Sequence, residues 1–164
     1  MANLFDYVAW RGDISFDTIP FNKIDALLLS HLSYSLLNGL VPSSFEESKT
    51  LSQLSKDFKA ASDYEDRLKI GFVINKNTPE LLAKTAKSLR FKNVRICGYR
   101  EIFSEENVEQ FAAMTYIIKN GKNEEVIISY RGTDDTLVGW KEDFNIVWQD
   151  QIPAQKDALV YIED

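Results

Sequence analysis

The chain holds one histidine, one cysteine and four prolines in 164 residues, and each scarcity removes a class of chemistry. The lone Cys97 rules out an internal disulfide and fits a reducing compartment. One histidine and one distant cysteine leave only carboxylates for a cation, so no metal site is expected, and no cofactor is called for. Positive charge is also short: the net charge is −6, with both signs interspersed. Nucleic acid and anionic lipid want a clustered basic face, so neither is an expected partner. The N-terminus, Met1-Ala2-Asn3-Leu4-Phe5-Asp6, has no basic stretch followed by an apolar core, which argues against a secretory signal. The longest apolar run near it, Ala26 to Leu29, is far too short to cross a bilayer, so no transmembrane segment is expected. A cytoplasmic location follows as the expectation. Repeats and low-complexity linkers are missing too, so residues 1–164 read as one domain.

An apolar content of 45%, with 12% aromatic residues, is enough for a sizeable core. Residues 1–90 read as mainly helical. Asn22 has the character of an N-cap, and Ile24, Leu27, Leu28, His31, Leu32 and Ser35 recur at helical spacing towards Asn38-Gly39. Ser44-Phe45-Glu46-Glu47 has capping-box spacing ahead of Leu51, Leu54 and Phe58. Leu68, Ile70, Phe72 and Ile74 alternate like a short strand, with a helix as the alternative. Thr78-Pro79 opens a helix running to about Ser88. Residues 91–164 switch to strand periods. Val94, Ile96 and Gly98 alternate, Phe111 to Lys119 forms a second strand, and Asn120-Gly121 marks a hairpin into Glu124–Tyr130. Val126, Ile127 and Ile128 are apolar on both sides, which predicts a strand covered on both faces. Leu137, Trp140, Phe144, Val147 and Trp148 then make a helical stripe, and a last helix follows Pro153. Helices over a mixed sheet give an α/β layered fold.

One stretch carries chemistry: Tyr130-Arg131-Gly132-Thr133-Asp134-Asp135-Thr136, between the apolar strand and the next helix. Acyl transfer needs hydrogen-bond donors fixed in place before the oxyanion forms. The first turn of a helix leaves backbone N–H groups unpaired, so a strand-to-helix turn is a natural source of them. Gly132 permits a tight bend and close approach, Thr133 offers both a backbone N–H and a hydroxyl, and the Asp134 N–H is a second donor. The plainer reading is that residues 133–136 only cap the helix. Adjacent carboxylates such as Asp134 and Asp135 diverge, so a cation site or a phosphatase nucleophile is the weaker reading.

Arg131-Gly132-Thr133 followed by Trp140-x-x-Asp143 resembles the R-G-[ST]…W-x-x-D pattern of class 3 (fungal-type) lipases. With Gln110-Phe111-Ala112-Ala113, Ile152-Pro153-Ala154-Gln155 and the Asn3-to-Tyr7 opening, the chain is also similar to a group of bacterial lipase-like proteins. The resemblance implies an incomplete α/β-hydrolase-like fold with Thr133 lining an oxyanion hole. Gly132 and Trp140 would support that turn, and Arg131 and Asp143 would form an ion pair beneath it. It also implies an acyl-ester or lipid-like substrate. The departures are equally plain. No serine stands in a G-x-S-x-G elbow, and the sole histidine, His31, sits on an apolar helical face where a core histidine is expected. Cys97 has no base nearby in the sequence and reads as a buried strand residue. The expectation is therefore the N-terminal portion of a serine esterase, inactive by itself. The alternative is a non-catalytic binding or scaffolding domain built on the hydrolase fold. If the sheet is cut short, Val126–Tyr130 becomes an open edge and Trp148 stays uncovered, which predicts self-association.

Overall fold

The structure is a computed structural model describing residues 2–69, 77–106, 108–132, 141, 147, 148 and 150–164. Its elements are α1 (Leu4–Arg11), α2 (Lys23–Leu32), β1 (Lys49–Thr50), α3 (Leu51–Ala60), α4 (Tyr64–Arg67) and α5 (Thr78–Thr85), then β2 (Arg95–Ser104), β3 (Glu109–Asn120), β4 (Asn123–Arg131) and α6 (Pro153–Glu163). The helical first half and strand-rich second half match the sequence pattern. No helix among the described residues is long and apolar enough to cross a membrane.

The first two helices start in the same way. Asn3 accepts from the Phe5 and Asp6 N–H groups while Asp6 accepts from the Asn3 N–H, and Asn22 and Asp25 repeat this box at α2. Asp25 does more than cap. It is fully buried and takes a bidentate pair from Arg90, Nε to Oδ1 at 2.8 Å and Nη2 to Oδ2 at 2.5 Å, together with the Tyr7 hydroxyl at 2.9 Å. The remaining Arg90 donors go to the carbonyls of Ile14, Ser15, Ile19 and Pro20, and the guanidinium stacks 4.0 Å from the centre of the Phe16 ring. Every charge is matched and nearly every N–H is used, the condition under which a buried ion pair is tolerated.

This pair rotates α2 relative to the expected face. The buried residues are Asp25, Leu28, Leu29 and Leu32, whereas Ile24 and Leu27 are 44% and 56% exposed. The interval of three and four residues is helical as expected, but its first member is a carboxylate that a hydrophobic pattern leaves out. The helix also stops at Leu32, and turns carry the chain through Gly39, which takes φ +73°. The third helix starts later than expected. Thr50, not Ser44, caps it by accepting from the Gln53 N–H, while Leu51, Leu54 and Phe58 are buried as their spacing predicts. Pro79 sits in the first turn of α5, which ends at Thr85 rather than near Ser88. Leu68 caps the C-terminus of α4, and the rest of the Leu68–Ile74 alternation lies outside the described residues.

The sheet is antiparallel throughout, in the order β1-β2-β3-β4, and this corrects the expected mixed sheet. Short connections decide it for β2–β3 and β3–β4, because parallel neighbours need a crossover of a dozen residues or more. The β3–β4 hairpin pairs Asn120 with Asn123, so its two loop residues are Gly121 and Lys122. Only Gly121 has positive φ, as the first position of a type II′ turn requires. The hairpin signal is in the right place, displaced by one residue. Asp17 holds the hairpin tip by accepting from the Gly121 N–H at 2.5 Å.

One face of the sheet presents Ile96, Met114, Tyr116, Ile118 and Ile127 to the helices, where they join Leu28, Leu29, Leu54, Leu82 and Phe91 in the main core. The opposite face carries Phe111, Ala113, Thr115 and Tyr130 and is covered by α6. The Tyr161 hydroxyl hydrogen-bonds Thr115 Oγ1 at 2.9 Å, and its ring packs edge-on against Phe45, Phe111 and Tyr130. Arg100 closes the end of α6 through Asp164 at 2.6 Å. Cys97 is buried in β2 beside Thr115, and burial pushes its thiol pKa up. The expectation that β4 is covered on both faces fails. Ile127 packs on the core, but Val126 and Ile128 point the other way and are 62% and 37% exposed. Of the stripe expected after the RGT turn, Val147 and Trp148 are described; they lie in a turn, and Trp148 is 84% exposed.

Two measurements probe these contacts. Arg90→Met leaves Asp25 buried without its partner and should lower unfolding stability in urea by about 3–5 kcal/mol. Burial raises the Tyr161 phenol to about 12, although the hydrogen bond to Thr115 opposes the shift. A raised folded-state value preserves stability below the ordinary tyrosine pKa of about 10 and loses it as pH climbs through the folded value. The melting temperature should therefore fall between about pH 10 and 12, and Tyr161→Phe should make that fall shallower. Tyr99 and Tyr116, raised mainly by burial as well, should keep some of the slope.

Candidate functional site

Arg131 and Gly132 lie at the point where β4 ends, and both are described. Thr133, Asp134, Trp140 and Asp143, the other residues singled out from the sequence, lie outside the described residues. What can be built is the root of the turn.

Three strands set that root. Glu101 on β2, Ala112 on β3 and Arg131 on β4 are Cα partners in one row across the sheet. Opposed residues on neighbouring antiparallel strands project to the same face. Ala112 is the small residue in the middle, so the Arg131 side chain can lie over it and reach the far strand. Arg131 Nη2 meets Glu101 Oε1 at 2.7 Å, and the Tyr99 hydroxyl donates to Glu101 Oε2 at 3.0 Å. Only 7% of the Arg131 side chain is exposed, and its Nε is buried with no hydrogen-bond partner. Burial, reinforced by the adjacent Glu101 charge, pushes the Tyr99 phenol well above its ordinary range, so it stays a hydrogen-bond donor. The described acidic partner of Arg131 is therefore Glu101, on the neighbouring part of the sheet.

The other wall of the root comes from the segment after α2. A Cβ placed on Gly132 would stand 3.0 Å from the Tyr34 hydroxyl. The φ of Gly132 is not in the left-handed range, so close approach, rather than a strained bend, is what glycine provides here. Behind Tyr34 sits His31, with ring centres 6.4 Å apart. His31 is half-buried, shares a hydrogen bond with Thr78 Oγ1 at 3.0 Å, and has its pKa lowered by burial. That agrees with a hydrogen-bonded structural imidazole, though one nearer the turn than its sequence distance indicates.

Tyr34, Tyr99 and Glu101 were not visible as site residues in the sequence. The Asn120-Gly121 hairpin brings Ala112 opposite Arg131, but the β2–β3 register depends on an irregularity between Cys97 and Arg100, at Gly98. Gly98 takes φ +62°, and a Cβ there would run into the Phe45 ring. No hydrophobic pattern encodes that shift, which takes Glu101 off the face of Cys97 and Thr115 and sets it on that of Ala112. Among the described residues, no group of three or more His, Cys, Asp or Glu side chains could hold a metal ion.

The root should contribute measurable stability. Glu101→Ala leaves the largely buried guanidinium without its carboxylate and should cost about 1–3 kcal/mol in a urea titration. Asp66→Ala breaks an ion pair that is 75% exposed at both partners, Lys69–Asp66, and should leave the urea midpoint unchanged.

Residues 85–164 match the sequence model of the Mbeg1-like family, a stretch that includes all of β2, β3, β4 and α6 and is just under half of the chain. No curated protein and no solved structure matches the chain.

Proposed function

We propose that the turn leaving β4 supplies the oxyanion-binding side of an acyl-ester hydrolase of the serine esterase or lipase kind. In this reading Thr133 and the Asp134 N–H provide the donors, and Arg131, Gly132, Trp140 and Asp143 support them. The observation that carries it is the fixed root: Arg131 is pinned through Glu101 to Tyr99, and Gly132 lies against the Tyr34 hydroxyl. Donors stabilise a developing oxyanion only if they do not need to reorganise when the charge appears, and a firmly held strand end favours that condition. The antiparallel sheet lends the reading no support of its own, so it rests on the motif and its anchoring.

The role of the turn is electrostatic. A nucleophile attacking an ester carbonyl moves charge onto the carbonyl oxygen, and preorganised N–H groups meet that oxygen. The residues of this chain make no serine elbow, so the attacking group is not among them. The second reading, a binding or scaffolding domain that no longer catalyses, is favoured by the half-buried, hydrogen-bonded state of the only histidine.

The test begins with the 164-residue chain and p-nitrophenyl butyrate, which it should not hydrolyse above background. The reading frame beyond codon 164 is then sequenced, and any continuation is expressed with this chain. The hydrolase reading expects an in-frame G-x-S-x-G, esterase activity in the longer product, and a loss of about 10²–10³ in kcat for Thr133→Ala with KM little changed. A stop codon at that point, or a longer product that is inert towards esters and towards a fluorophosphonate probe, refutes it and leaves the scaffolding reading.

A further inference from the structure

The two edges of the sheet are finished differently. On the β2 side the chain covers its own edge: the Gly98 and Tyr99 N–H groups donate to the Ser44 and Pro42 carbonyls, and β1 pairs beyond them. On the other side, among the described residues, no strand pairs with the outer edge of β4. Natural sheets usually blunt such an edge with proline, a bulge or an inward-pointing charge. This strand has no proline or glycine, and its register with β3 is unbroken from Arg131 to Asn123. Its middle is Val126-Ile127-Ile128, with Val126 and Ile128 exposed on the α6 side of the sheet.

The charge on β4 is asymmetric. Glu124 and Glu125 stand near its start and Arg131 at its end. Two copies aligned parallel and in register would oppose Glu to Glu and Arg to Arg, which is destabilising. An antiparallel pair about a two-fold axis normal to the sheet reverses this, because each acidic start meets a basic end. Opposed residues must share a face, and centring the pair on Ile128 satisfies that rule along the whole strand. Ile128 then opposes Ile128, Val126 opposes Tyr130, and Glu125 opposes Arg131. The last pairing sets opposite charges across the seam.

We propose that β4 pairs antiparallel with β4 of a second copy of this chain, centred on Ile128. The sheet becomes continuous across the two copies, and Val126, Ile128 and Tyr130 of both form one apolar strip beside α6. The inference concerns an edge and not a reaction, and it is made for the 164-residue chain.

Sedimentation velocity over a concentration series of the 164-residue chain provides the test, with circular dichroism confirming that each variant is folded. A monomer–dimer equilibrium is expected, and Ile128→Lys and Glu125→Arg should each raise the dimer dissociation constant about tenfold or more, since every 1.4 kcal/mol lost is a factor of ten. Ile128→Cys should give a disulfide-linked dimer on mild oxidation. Val126→Cys should not, because its two copies would be offset by four residues, about 13 Å along the strands. A monomer at every concentration, growth beyond a dimer, a dimer indifferent to Ile128→Lys, or cross-linking at position 126 instead of 128 would each overturn the proposal.

Discussion

The Asp25–Arg90 pair organises the helical half of this molecule. A carboxylate in the first turn of α2 and a guanidinium after α5 meet where neither reaches water, and Tyr7 of α1 and the Ile14–Pro20 stretch are gathered around them. The desolvation cost of two buried charges is large, and such a pair is tolerable only when its remaining hydrogen-bonding groups are used. Here they are used on Ile14, Ser15, Ile19 and Pro20, the carbonyls of an irregular link that would otherwise have to find partners in the interior. The α1–α2 link can therefore lie against the core without being a helix or a strand. Arg67 repeats the device on a smaller scale, donating to the Leu36 and Asn38 carbonyls while paired with Asp63.

How much of this was legible in the sequence depended on whether the signal was local. Asn22 as a cap, Leu51, Leu54 and Phe58 as one helical face, Pro79 in a first turn and the Asn120-Gly121 hairpin are all short-range, and all appear. The α2 face was misjudged because its first buried member is Asp25, and a charge is read as exposed unless its partner is known. That partner lies 65 residues away. The same limit applied at β4: an apolar run does not say whether a second layer covers it, and Val126 and Ile128 turned out to be exposed.

The candidate site divides along the same line. The R-G-T motif is contiguous, so the sequence located Arg131 and Gly132 correctly at a strand end. The groups that hold them, Glu101, Tyr99 and Tyr34, come from two other parts of the chain and are aligned by a bulge at Gly98 and a loop after α2. A motif names a backbone shape; the residues that stiffen it are tertiary neighbours, which are found only once the register is known. The small Ala112 shows this most directly, since nothing about an alanine in a strand announces that an arginine will lie across it.

The distances bridged by Arg90 also bear on how the molecule comes to be made. The carbonyls it satisfies belong to residues 14, 15, 19 and 20, and its carboxylate to residue 25, so all of them precede their partner by 65 to 76 positions. A ribosome delivers the N-terminal helices first. Until residue 90 has been synthesised and has left the exit tunnel, Asp25 has no counter-charge and the α1–α2 link has no donors. The first two helices can form as local segments and meet through the Tyr7 hydroxyl, Asn22 and Asp25, but the carbonyls of the link between them wait for their donors.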